Sequence, residues 1–183
     1  INGEPSSPYT LRFGEKGILW LRVTVKSKGG HGAYPHLSSN PIKIASKIIT
    51  ELETLNDIPV DYPQNLLTAI NEGRAEAEKA LGEGGADVMS KLSVNIGSIT
   101  GGVKINVIPR ECSFELDLRL PPGLSRKQVL ARVEYILDRY PGASYEEIRY
   151  DGPLWSPPDS EMAQTIRANS RLLGVDPKPI ISL

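Results

Sequence analysis

Two runs of strict alternation constrain the fold more than any other feature of this chain. In GILWLRVTVK, Leu19, Leu21, Val23 and Val25 fall on one face, and Trp20, Arg22, Thr24 and Lys26 on the other. In ECSFELDLRL, Phe114, Leu116, Leu118 and Leu120 share a face opposite Glu115, Asp117 and Arg119. A period of two over such lengths predicts half-buried β-strands, each with one face on a core and one in water. The first spans roughly 17–27.

Helical patterns follow both runs. Asn40-Pro41 is an N-cap with proline at the first helical position. Ala45, Ile48, Ile49, Leu52 and Leu55 then recur at helical spacing, which predicts a helix over 41–55. Ser125 and Gln128 form a capping box, and the helix it opens carries Val129, Val133, Ile136 and Leu137. Further strands are expected at LSVNIGSI and SYEEIRY. The order over 17–150 is then β-α-β-β-α-β. The economical arrangement is an α+β, ferredoxin-like sandwich: one four-stranded antiparallel sheet with two helices on one face.

The flanks read differently. Residues 1–16 are rich in Gly, Pro and Ser, as a linker is, and DGPLWSPPDS reads as a second linker. Residues 56–91 look irregular, with a short helix near 74–81, and read as an insertion. Residues 160–173 form a third helical pattern, and PKPIISL starts a strand. The divisions are 1–14, 15–152 and 153–183. The chain starts without Met, and the expectation is the middle of a longer protein.

Composition excludes several function classes. Hydrophobic residues make up 39% and charged residues 23%, as in ordinary globular domains. A net charge of -1 with 6% aromatics argues against nucleic acid and anionic membranes as partners. The single Cys112 excludes an internal disulfide framework and fits a reducing, cytoplasmic compartment. It lies in a strand pattern and reads as a buried thiol. No apolar run is long enough to span a membrane.

Both histidines of the chain sit in one loop, GGHGAYPH. His31 follows Gly29-Gly30, so the backbone can turn sharply there. Its imidazole can donate to a developing oxyanion, accept a proton or bind a metal, and Tyr34 adds a hydroxyl three residues on. His36, beside Pro35, reads as structural or exposed. Asn106 lies just before a strand. Arg119 projects from the polar sheet face and fits two readings: a bidentate clamp for a carboxylate, or a salt bridge with Asp117 or a neighbour. Glu4 is a lone carboxylate, and zinc needs three or four ligands. The chain contains no HExxH or CxxC motif.

In order along the chain, GEPSS, KG entering a strand, GGHGAYPHLSSNPI, NVIP and DLR resemble the zinc-dependent peptidase and deacylase family. That family includes succinyl-diaminopimelate desuccinylase, acetylornithine deacetylase, aminoacylase and the glutamate carboxypeptidases. The resemblance implies a ferredoxin-like lid domain, inserted in a two-zinc catalytic domain and responsible for homodimerisation. It implies that His31 reaches the partner subunit's active site and donates to the carbonyl oxygen and the tetrahedral intermediate. It assigns Asn106 and Tyr34 to the substrate, Arg119 to the substrate's carboxylate, and Glu4 to one zinc. The expected substrate is a small N-acyl amino acid or peptide.

The departures matter as much. The family's HxD motif, bridging Asp and Glu-Glu pair lie upstream of the region that matches and its final His ligand downstream, so the expectation for this stretch alone is no bound metal and no catalysis. Cobalt or manganese are alternatives to zinc in the parent. FGEKG lacks the arginine pair of the desuccinylases, which leaves the acyl group open. A free-standing ferredoxin-like regulatory or dimerisation module is the alternative from another class.

Overall fold

The computed structural model of the protein describes residues 7–183. Strand β1 (Thr10–Glu15) is separated by the single residue Lys16 from β2 (Gly17–Lys26). The two-residue β3 (Gly30–His31) leads to helix α1 (Pro41–Leu52) and a 3-10 turn at Glu53–Asp57. Helices α2 (Gln64–Leu81) and α3 (Gly85–Ser90) precede β4 (Ser93–Gly101). Short β5 (Val107–Ile108), long β6 (Glu111–Leu120) and helix α4 (Arg126–Leu137) come next. Strands β7 (Ala143–Asp151) and β8 (Leu154–Trp155), helix α5 (Glu161–Leu172) and β9 (Lys178–Ser182) complete the order.

The two alternating runs pair with one another. β2 and β6 are antiparallel over their full lengths, with Leu19 opposite Leu118, Leu21 opposite Leu116 and Val23 opposite Phe114. β4 pairs with β6, and β7 with β2, both antiparallel, which gives a sheet of order β4-β6-β2-β7. Its inward residues share one core with Ala45, Ile48 and Leu52 of α1 and Val129, Val133 and Ile136 of α4. The sequence stops and starts these helices as read. Asn40 accepts from the Ile42 and Lys43 amides, and the Ser125–Gln128 box is complete. The helical turn continuing past Leu52 is 3-10, and it places Leu55 in the same core.

A second core lies outside this sheet. β1 is flanked by β8 and, in parallel, by β9. Phe13, Ile180 and Ile181 from these strands pack with Leu66, Ala69, Ile70 and Ala77 of α2 and with Met89 of α3. Three sequence expectations change here. Residues 10–15 are a strand and not linker, because Thr10 and Phe13 find cover against β9 and the helices. Leu154–Trp155, within the second expected linker, pair with β1. The helix expected near 74–81 begins at Gln64, and its buried face mixes Leu66 and Ile70 with the small residues Ala69, Gly73 and Ala77. The 56–91 stretch thus packs largely on the flanking strands.

Candidate functional site

The histidine loop is built on a miniature ribbon. Gly30 and His31 of β3 pair with Ile108 and Val107 of β5. The Gly32 amide donates to the Asn106 carbonyl at 2.8 Å, bringing the two loops together. Gly29 has φ of 69°, and a Cβ there would lie 2.6 Å from Arg110 Cγ, so the turn into the ribbon requires glycine. Ser27 fastens the base: its hydroxyl donates to the Pro109 carbonyl at 2.8 Å and accepts from the Gly29 amide at 3.0 Å.

His31 itself is exposed. Its Nδ1 accepts from the Ala33 backbone amide at 3.2 Å. A neutral imidazole that accepts at Nδ1 carries its proton on Nε2. The outward nitrogen is then a hydrogen-bond donor. Tyr34 lies with its ring centroid 5.7 Å from that of His31, and His36 stands edge-on to Tyr34 at 6.3 Å. Asn106 is exposed, and its side-chain amide has no partner among the described residues. His31, Tyr34 and Asn106 therefore cluster as one polar rim at one end of the sheet.

Arg119 is not part of that rim. It lies near the far end of β6, opposite Ile18 and Ser93. Eight residues separate it from Glu111, where the ribbon joins the strand, or about 27 Å at ~3.4 Å per residue. Its Nε and Nη2 grip the Asp117 carboxylate at 2.9–3.1 Å. Asp117 also accepts from the Trp20 indole at 2.9 Å, and Arg149 stacks over the Trp20 ring at 5.3 Å. The salt-bridge geometry foreseen for Arg119 is thus present. The Nη1 edge of the guanidinium has no partner among the described residues.

Glu4 lies outside the described residues. Among those described, no three His, Cys, Asp or Glu side chains converge as a metal centre requires. Burial pushes the Cys112 thiol up, which makes it inert as a nucleophile. Sequence reasoning missed Lys16. Only 2% exposed, it stands between the two sheets, and its one visible signal is a lysine directly before the strand-opening Gly17.

Comparison with known proteins decides the family. The model of the peptidase dimerisation domain matches residues 13–143. The chain belongs to the peptidase dimerisation domain family. Among curated relatives of this dimerisation domain is a succinyl-diaminopimelate desuccinylase of Nitrosomonas europaea, 29% identical over 97% of this chain and 42% of its own. A probable carboxypeptidase of Paracoccidioides brasiliensis is 32% identical over 74% of this chain and 27% of its own. The dimerisation domain chain therefore spans less than half the length of these relatives. The M20 family metallo-carboxypeptidase Sso-CP2 from Sulfolobus solfataricus shares the fold, with a TM-score of 0.71 at 18% identity, covering 94% of this chain and 46% of that one. The di-peptidase Dug1p from Saccharomyces cerevisiae superposes with a TM-score of 0.67 at 14% identity, covering 97% and 45%.

Proposed function

We propose that this dimerisation domain is the lid of a longer zinc-dependent amidohydrolase, a peptidase or N-acyl-amino-acid deacylase that works as a cytoplasmic homodimer. Family membership and the names of the relatives support the reaction class. The sheet order, with both helices on one face, supports a ferredoxin-like arrangement for the lid. The lid spans 15–152, with α2 and α3 as an excursion onto the flanking unit formed by 1–14 and 153–183. The two zinc ions, or cobalt or manganese in their place, belong on this reading to a centre completed by other parts of the longer protein. Glu4 contributes one ligand, and the chain by itself does not catalyse.

The observation that carries the reading is the orientation of His31. A ribbon holds it out from the sheet, and the Ala33 amide leaves its free nitrogen a donor. That donor meets the carbonyl oxygen of the scissile amide as negative charge develops there. Asn106 and Tyr34 sit beside it to hold the substrate. Such an oxyanion donor typically contributes about 10²–10³ in turnover.

Arg119 grips the substrate's carboxylate. Within one chain it is about 27 Å from the histidine ribbon, too far for both to touch one small substrate. A site that uses both draws His31 from one subunit and Arg119 from the other. The edge strand β4 offers the seam. Ile99, Val103, Ile105 and Val107 are exposed on β4, the loop after it and the start of β5, and Ile42 of α1 lies against Gly101-Gly102. The opposite edge, β7, carries Glu146, Glu147, Arg149 and Asp151 beside exposed Ile148 and Tyr150. Apolar surface at an open edge favours pairing with a second copy.

The test is His31→Ala in the full-length protein, assayed on a panel of N-acyl amino acids and dipeptides. Turnover falls by about 10²–10³ with dimer mass and fold unchanged. Unaltered turnover would overturn the assignment.

A further inference from the structure

The chain passes between the two packed units at several places, and three of these meet at Lys16 and Gly17. The first is Lys16 itself, between β1 and β2. The second is the segment from the last turn of α3 into β4, residues 88–93. The third is the return from β7 to β8 at 151–153.

The Lys16 side chain is fully engaged by the second of these. Its Nζ donates to the Val88 carbonyl at 2.8 Å and the Lys91 carbonyl at 2.7 Å, and contacts Ser93 Oγ at 3.1 Å. Its backbone amide donates to the Ser182 carbonyl at the end of β9, at 3.0 Å. Three acceptors around one ammonium match its three protons and offset much of the cost of burying it. Gly17 abuts the third crossing: a Cβ there would lie 2.5 Å from Pro153 N and 2.7 Å from the Asp151 carbonyl oxygen. Glycine at this position lets two crossing segments touch.

We infer that Lys16 and Gly17 form a joint that locks three crossing segments into one body and so fixes the angle at which the lid is carried. Remove the ammonium, and the 88–93 segment loses its tie to the first crossing. Wedge a side chain in at Gly17, and the 151–153 return is forced away. Either change frees the lid to swing without touching its core.

The surroundings fit a buried, taut joint. Burial and the neighbouring Arg119 guanidinium push the Lys16 amine down to about 8, against a smaller upward pull from the Asp117 carboxylate. A neutral amine can still donate to both carbonyls and accept from the Ser93 hydroxyl. The joint therefore holds through deprotonation. The inference is independent of the proposed reaction, since its readout needs no substrate.

Hydrogen exchange on the full-length protein tests it. In Lys16→Met, amides at 16–18, 88–93 and 151–152 exchange faster together, by about tenfold or more, while β6 amides keep their rates. Unchanged rates at the crossings would overturn the inference. So would acceleration confined to 16–18, or equal acceleration throughout the β6 core. Should Lys16→Met fail to fold, Ser93→Ala removes one acceptor. It gives the same pattern with a smaller amplitude, and unchanged exchange at 16–18 in that variant also contradicts the joint.

Discussion

The backbone amide of Ala33 donates to Nδ1 of His31. This one bond sets the chemistry of the loop, because it leaves the exposed nitrogen of the neutral ring as the donor. Nitrogen chemical shifts of the neutral imidazole read this directly. The expected pattern is the Nε2-protonated tautomer for His31. An Nδ1-protonated pattern would remove its capacity to stabilise an oxyanion.

A second prediction concerns the joint and pH. The Lys16 amine titrates at about 8 in the fold and at its ordinary 10.5 in the unfolded chain. Between those values the unfolded chain binds more protons, so stability rises with pH across that window. Urea unfolding of the wild type and Lys16→Met at pH 7 and pH 10 isolates the effect. The difference should shift toward the wild type by about 2–3 kcal/mol, an upper-range figure for a wholly buried amine. A pH-independent difference contradicts the assigned environment. Tyr62 and Tyr145, whose hydroxyls are also raised, cancel in the comparison.

Helix α4 depends on its cap. Ser125 Oγ accepts from the Gln128 amide at 3.3 Å, and the Gln128 side chain accepts from the Ser125 amide at 3.0 Å. Ser125→Ala should cost about 1 kcal/mol in chemical denaturation, and Ser125→Gly only a few tenths. Equal losses for the two would mean that the cap bond is not what matters.

The proposed seam is testable by charge. Ile99 and Ile105 are exposed beside the β4 edge. Ile99→Lys with Ile105→Lys in the full-length protein should shift sedimentation from dimer toward monomer while the circular dichroism of the sheet persists. An unchanged dimer would place the interface elsewhere.

The four-stranded sheet and its two helices were largely legible in the sequence because their signals are local. Alternation in 17–26 and 111–120, the Asn40 cap and the Ser125 box each point to one element, and each forms it. Helix α2 was only partly legible because Ala69, Gly73 and Ala77 make up much of its buried stripe, and small residues give little amphipathic contrast. Strand β1 was hidden because its parallel partner, β9, lies at the other end of the chain. His31 stood out by its glycines, but the bond from the next residue's amide, Gly32, to the Asn106 carbonyl spans a long stretch of sequence. Lys16 was invisible for the same reason: its acceptors are more than seventy residues away. Arg119 was legible as a residue type, whereas its distance from His31 required the register of β6.

That separation makes the most direct test of the shared site. His31→Ala and Arg119→Ala are each expected to inactivate the full-length homodimer. Mixing the two by unfolding and refolding together gives heterodimers in which one site keeps both Arg119 of its own subunit and His31 of the other. The mixture should recover about one quarter of wild-type specific activity, since half the dimers are mixed and one site in each is intact. If His31 and Arg119 serve a site from the same chain, every site in the mixture lacks one of them, and activity stays at the level of the two single variants.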